Sequence, residues 1–127
     1  LDRVRPILLK AGTVPPRTRE LVDLTGIPLP ALQQILRQTT KARNLIQVAD
    51  NRHYLPETIM QLAEFTEKIA TETAESDGFS VIQFRDASSI GRNLCIEILE
   101  YFDRVGFTRR EGNSRFVRTE KENIFGK

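Results

Sequence analysis

The chain has 127 residues, 39% of them hydrophobic and 28% charged, with one cysteine and a formal net charge of +2. That composition belongs to a soluble globular protein, one ordinary domain or two very small ones, and not to a disordered chain. No run comes near the roughly 20 apolar residues that a membrane span needs, no signal-peptide pattern opens the chain, and a lone cysteine excludes an internal disulfide and favours a reducing compartment.

In chain order, the apolar spacing predicts helices over Arg3–Ala11, Pro16–Leu24 and Leu29–Lys41, then strands Leu45–Val48 and His53–Leu55 around the turn "ADNR". A long helix follows over Glu57–Glu75, with an apolar stripe of Ile59, Leu62, Ala63, Ile69 and Ala70. Helices Val81–Ala87 and Arg92–Val105 come next, then strands Phe107–Arg110 and Arg115–Arg118 around "EGNS". In the helix over 92–105, Cys95, Ile98, Leu99 and Phe102 keep the i, i+3, i+4, i+7 spacing of a core-facing side. Asn44 and Gly106 stand just past the third helix of each set, where a left-handed cap residue is wanted. Thr119–Lys127 carries no strong pattern and is expected to be disordered. Because Leu1 stands where a Met would open a chain, a fragment or processed chain is expected.

The order of elements repeats. Ile27, Leu32, Ile35 and Leu36 fall on Ile90, Cys95, Ile98 and Leu99 at an offset of 63, and after one deletion Leu45, Val48 and Tyr54 fall on Phe107, Arg110 and Phe116. Three helices and a hairpin, with the second helix turning sharply into the third, make a helix-turn-helix with a wing. The expected fold is therefore mainly α with small β-hairpins: two tandem winged-helix domains over 1–56 and 57–118, followed by the tail 119–127.

Charge is unevenly spread. Residues 1–56 carry nine Lys/Arg against four Asp/Glu, residues 57–78 one against six, and residues 79–127 nine against seven. Basic regions flanking an acidic one hint at nucleic acid. The outward face of the second third helix, however, reads Asn93, Glu97, Glu100, Arg104, and carboxylates there oppose insertion between the phosphate walls of a groove. The basic and polar candidates lie at a rim instead. Arg92 and Asn93 occupy a helix first turn that attracts phosphate, Arg85 lies on the helix before it, and Ser88, Ser89 and Gly91 form the turn. Arg109, Arg110 and Arg115 come from the hairpin, with Gly112 and Asn113 at its tip. Such a rim suits a compact RNA hairpin with splayed bases. Each arginine also reads as a surface cation paired with a nearby carboxylate. In the first copy, Arg37, Lys41 and Arg43 are secondary candidates for nucleic-acid contact, or a solvated basic helix face. His53 reads as a strand residue and Cys95 as a core thiol, so no catalytic or metal site is expected. A winged-helix DNA-binding transcriptional regulator and a protein-docking module remain open as alternatives.

The stretch from Phe84 to Asn113 resembles the last winged helix of the bacterial selenocysteine-specific translation elongation factor, through Phe84-Arg85-Asp86, Gly91-Arg92, Leu99-Glu100-Tyr101-Phe102-Asp103 and Gly106-Phe107-Thr108-Arg109-Arg110. The first copy resembles that family's preceding winged helix in order and spacing. The resemblance implies a monomeric mRNA-binding arm that grips a selenocysteine insertion hairpin so that selenocysteyl-tRNA is delivered on the ribosome at an in-frame UGA. It implies a cytoplasmic setting, a GTPase part outside this chain that uses GTP and magnesium, and no cofactor or enzyme activity for the arm itself. It also points to Arg85, Arg92, Asn93, Arg109, Arg110 and Arg115 as RNA contacts. The chain departs from the family in placing Asn93 where a second basic residue commonly follows the arginine, and in adding Glu111 to the wing.

Overall fold

A computed structural model describes residues 3–126. Its elements are α1 (Val4–Ala11), α2 (Thr18–Thr25), α3 (Leu29–Lys41), β1 (Ile46–Ala49), β2 (Arg52–Tyr54), α4 (Pro56–Thr71), α5 (Val81–Ser88), α6 (Arg92–Arg104), β3 (Thr108–Glu111), β4 (Ser114–Val117) and α7 (Lys121–Phe125). Each hairpin is a separate antiparallel pair, β1 with β2 and β3 with β4. The fold is mainly helical, two tandem winged helices, and the chain parts into two compact units between Ile59 and Met60, inside the first turn of α4.

In the first unit Val4, Leu8, Leu21, Leu32, Leu36, Leu45 and Leu55 form one buried cluster, with Ile7, Val22 and Ile27 packed against it. The turn between α2 and α3 is made by Gly26 in the left-handed region (φ 72°), whose N–H returns to the Val22 carbonyl. After α3 the positive φ falls on Arg43 (65°) and not on the expected Asn44, which instead donates its N–H to the Thr39 carbonyl at 3.0 Å. At the offset of 63 Arg43 stands where Gly106 stands in the second copy, and the Asn44 bond to Thr39 repeats that of the Phe107 N–H to the Phe102 carbonyl, so here the cap falls on a side chain that adopts this region at a cost of about 1–2 kcal/mol. The register of the first wing slips between Gln47 and Ala49. Val48 is the extra residue of this bulge, and it is buried. Pro15 and Pro16 have no N–H to pair with the wing. The Arg52 guanidinium instead donates to the Pro15 carbonyl, and the Thr18 N–H to the Asn51 carbonyl at 3.1 Å.

The second unit is built on rings. Phe102 packs edge-on to Phe107 at 5.1 Å between centroids, and Phe65 edge-on to Phe84 at 5.9 Å. Cys95, Ile98, Leu99 and Phe102 are all fully buried, as the stripe requires. Helix α5 starts on a reciprocal cap: the Gln83 N–H donates to Ser80 Oγ at 3.1 Å, and the Ser80 N–H to Gln83 Oε1 at 2.8 Å. It ends on Ser89 at φ 61°, where Ser88 Oγ accepts the Ile90 N–H at 3.2 Å and so steadies a turn that glycine makes in the first unit. Phe79 pairs with Arg115 by two backbone hydrogen bonds, of 3.0 and 2.8 Å, which adds a short third strand to the wing.

Two expectations fail here. Helix α4 stops at Thr71 instead of Glu75. Thr71 and Thr73 turn their hydroxyls back onto the Lys68 and Ala70 carbonyls, and Glu72 and Glu75 place negative charge at the end that disfavours it. The tail is not disordered between Lys121 and Phe125 but forms α7. Phe125 sits 5.7 Å from Phe102 and 5.4 Å from Phe107, and Lys121 bridges Glu67 at 3.3 Å. No helix among the described residues is long and apolar enough to cross a membrane.

Candidate nucleic-acid interface

Three elements of the second unit converge on one depression of about 340 Å³, lined by Ser80, Val81, Ile82, Arg92, Ile96, Arg110, Asn113 and Arg115. The start of α5 supplies its apolar wall, α6 its basic edge and the wing its far side. Arg92 lies in the first turn of α6 with Gly91 as the N-cap, at the end of the helix that carries free backbone N–H groups and the positive end of the dipole. Among the described residues its side chain has no hydrogen-bond or ion-pair partner. Arg110 is exposed and braced by a hydrogen bond from Nε to the Gly112 carbonyl at 2.8 Å. Gly112 holds the wing tip at φ 59°, with nothing in reach of an added Cβ. Asn113 is exposed beside it.

The other expected contacts divide. Arg115, read as a hand for RNA, is 2% exposed. Its Nε donates to Asp103 Oδ1 and Oδ2 at 3.3 and 3.1 Å and its Nη2 lies 3.0 Å from Oδ2, while Thr108 Oγ1 donates to the same carboxylate at 2.6 Å. This forked pair pins the wing to α6, and Arg115 lines the depression with its guanidinium already held by Asp103. Arg109 sits on the opposite face of β3 from Arg110, since successive strand residues alternate. It pairs with Glu111 at 2.5 Å and stacks over the Phe116 ring at 4.3 Å. Arg85 is held by Asp86, with Nη2 at 3.1 Å from Oδ1. Ser88, whose hydroxyl is used inside the turn, and Ser89, Gly91 and Asn93 do not line the depression; Ser89, Gly91 and Asn93 are exposed next to Arg92 in sequence. Neither Glu97 nor Glu100 lines it: the helix turns Arg92 and Ile96 towards it, one turn apart.

Sequence reasoning missed the apolar wall. Ile82 is 56% exposed on the first turn of α5, off any core stripe, and that mismatch was the available signal. In the first unit Arg37, Lys41 and Arg43 are all exposed, and Arg37 lines a concavity. His53 is buried in β2, and burial lowers its pKa from the ordinary 6.5. Burial raises that of the Cys95 thiol, whose Sγ donates to the Ile90 carbonyl at 3.3 Å. Among the described residues no three His, Cys, Asp or Glu side chains gather to hold a metal.

A helix-turn-helix followed by a two-stranded wing, with one arginine at the start of the third helix and a second on the wing, defines a winged-helix module. A family model described as "Elongation factor SelB, winged helix" matches residues 72–117. A solved structure titled as the mRNA-binding domain of elongation factor SelB from E. coli in complex with SECIS RNA aligns at a TM-score of 0.78 and 33% identity, covering 93% of this chain and 98% of that one. Curated selenocysteine-specific elongation factors are similar too. That of Escherichia coli is 35% identical over 84% of this chain and 17% of its own length, and that of Haemophilus influenzae 31% over 84% and 16%. That of Desulfomicrobium baculatum is 26% identical over 87% and 17%. The chain thus spans about one sixth of the length of these curated relatives. It belongs to the SelB elongation-factor family, as winged helices of the kind seen in that mRNA-binding domain.

Proposed function

We propose that the second unit binds an mRNA hairpin of the selenocysteine-insertion type and so acts as the mRNA-binding arm of a selenocysteine-specific elongation factor. The observation that carries this is the convergence of Arg92, Arg110 and Asn113 on one groove with an apolar wall, in a chain that matches nearly all of a domain solved with such an RNA. Arg92 and the N–H groups of the α6 first turn would take phosphate oxygens, Arg110 a second phosphate, and Asn113 a base edge. The apolar wall of Val81, Ile82 and Ile96 would receive the face of a base splayed from the loop. Asn93, Ser88, Ser89, Gly91, Gly112, Arg85 and Arg109 surround this centre and would contribute at its margin. Delivery of selenocysteyl-tRNA at UGA, the ribosome as partner, a cytoplasmic setting and GTP hydrolysis belong to the whole factor and are part of the same proposal.

The test is a salt-controlled competition between hairpin RNA and duplex DNA of equal length. The hairpin should win, and Arg92→Ala should weaken it by about tenfold or more while lowering the salt slope by about one. Equal binding of the two nucleic acids, or an Arg92→Ala variant that binds as before, overturns the proposal.

A further inference from the structure

The internal repeat has a counterpart in the surface. A second concavity of about 270 Å³ lies in the first unit, lined by Thr18, Gln33, Leu36, Arg37, Gln47, Asp50, Asn51 and His53. At the helical offset of 63, Thr18 and Gln33 correspond to Val81 and Ile96, and at the wing offset of 62, Asn51 and His53 correspond to Asn113 and Arg115. All four partners line the groove of the second unit. The same place between third helix and wing is therefore hollow in both copies.

Its chemistry differs. The Asp103–Arg115 pair of the second unit is replaced at the equivalent positions by Thr40 and His53. Thr40 Oγ1 and His53 Nδ1 are both buried without a hydrogen-bond partner among the described residues. Such groups cost about 1–3 kcal/mol each when left unmade, so their retention calls for a reason. The rim carries one cation, Arg37, and one carboxylate, Asp50, with three neutral amides, Gln33, Gln47 and Asn51. A carboxylate disfavours phosphate inside the hollow. Amides, a carboxylate acceptor and a neutral imidazole together match the donor and acceptor edge of a nucleobase. The first 56 residues carry nine Lys/Arg against four Asp/Glu, a net positive charge that draws a nucleic-acid backbone to this unit.

We infer that the first unit holds a second RNA site, a pocket for one unpaired base whose edge is read by Gln33, Gln47, Asn51 and Asp50 over His53, with Arg37 placed for the adjoining phosphate. The inference rests on the reading of the chain as an RNA-binding module, but it concerns a different surface and a single-stranded ligand.

The probe is a short unstructured RNA oligonucleotide, titrated into the isotopically labelled full chain and followed residue by residue by NMR. The side-chain amide signals of Gln33, Gln47 and Asn51 and the His53 ring signals should shift saturably. The double variant Gln33→Ala/Asn51→Ala, at two exposed positions that leave the core intact, should weaken that isotherm, read at Gln47 and His53, by about tenfold. Hairpin affinity measured at the second unit should change by about twofold at most. An oligonucleotide of the same backbone with its bases removed should lose binding to a similar extent. Equal binding of the base-free oligonucleotide, or shifts confined to the second unit, overturns the inference. Failure of hairpin binding with these shifts intact would instead sink the proposed function and leave the pocket standing.

Discussion

Cutting Asp103 back to alanine leaves the Arg115 guanidinium, whose side chain is 3% exposed, without its carboxylate and removes the acceptor of Thr108 Oγ1. Losing one partner of a buried pair costs about 3–5 kcal/mol, because the remaining charge stays desolvated. The Asp103 side chain is itself 24% exposed, so water reaches this end and the lower figure of about 3 kcal/mol applies. For a unit of this size that is a fall in melting temperature on the order of 12–24 °C. The reciprocal change, Arg115→Met, leaves only a partly hydrated aspartate that still accepts from Thr108, and should cost about 1–2 kcal/mol. Urea titrations read at resolved backbone amides follow the two units separately, and hairpin affinity is measured well below the melting range. Arg115→Met should then bind within about threefold of the parent, since its role is to place the wing. A variant that melts like the parent yet loses the RNA would refute this and return Arg115 to the set of direct contacts.

Gly78→Ala should destabilise the second unit by about 2–4 kcal/mol. Its added Cβ would meet the Arg115 carbonyl at 2.6 Å in a backbone held at φ 66°, and faster amide exchange at Phe79 and Arg115 in particular would register the loss. His53 makes the first unit sensitive to acid. Because burial lowers its folded pKa below 6.5, the unfolded chain takes up a proton first as pH falls through that value, and stability should decline from there until the folded pKa is passed. Urea midpoints of the first unit at neutral and mildly acidic pH test this, and a His53→Phe variant with the same slope as the parent would contradict it.

The helices were legible because their signals are local. The Cys95, Ile98, Leu99 and Phe102 stripe sits on α6, and the α3 span Leu29–Lys41 matches residue for residue. Strands came out one residue early at each hairpin start, since alternation alone does not say where pairing begins and Val48 interrupts it with a bulge. The site was half legible. Arg92 announces itself as a basic residue after a helix cap, and the wing residues Arg110 and Asn113 follow from the turn. Arg115 did not, because what decides its role is Asp103, which is 12 residues earlier on another element and linked by no spacing rule. Arg109 and Arg110 look alike in sequence and are separated only by the two-residue period of β3.

Phe125 has a consequence for how this family is cut into pieces. The family pattern ends at residue 117, with the last strand, yet the ring cluster of Phe102 and Phe107 is closed by a side chain eight positions further on. An excised winged helix trimmed to the pattern would present two large aromatic faces to water in place of a lid. Its stickiness would then be an artefact of where the knife fell, and the smallest faithful piece runs through α7.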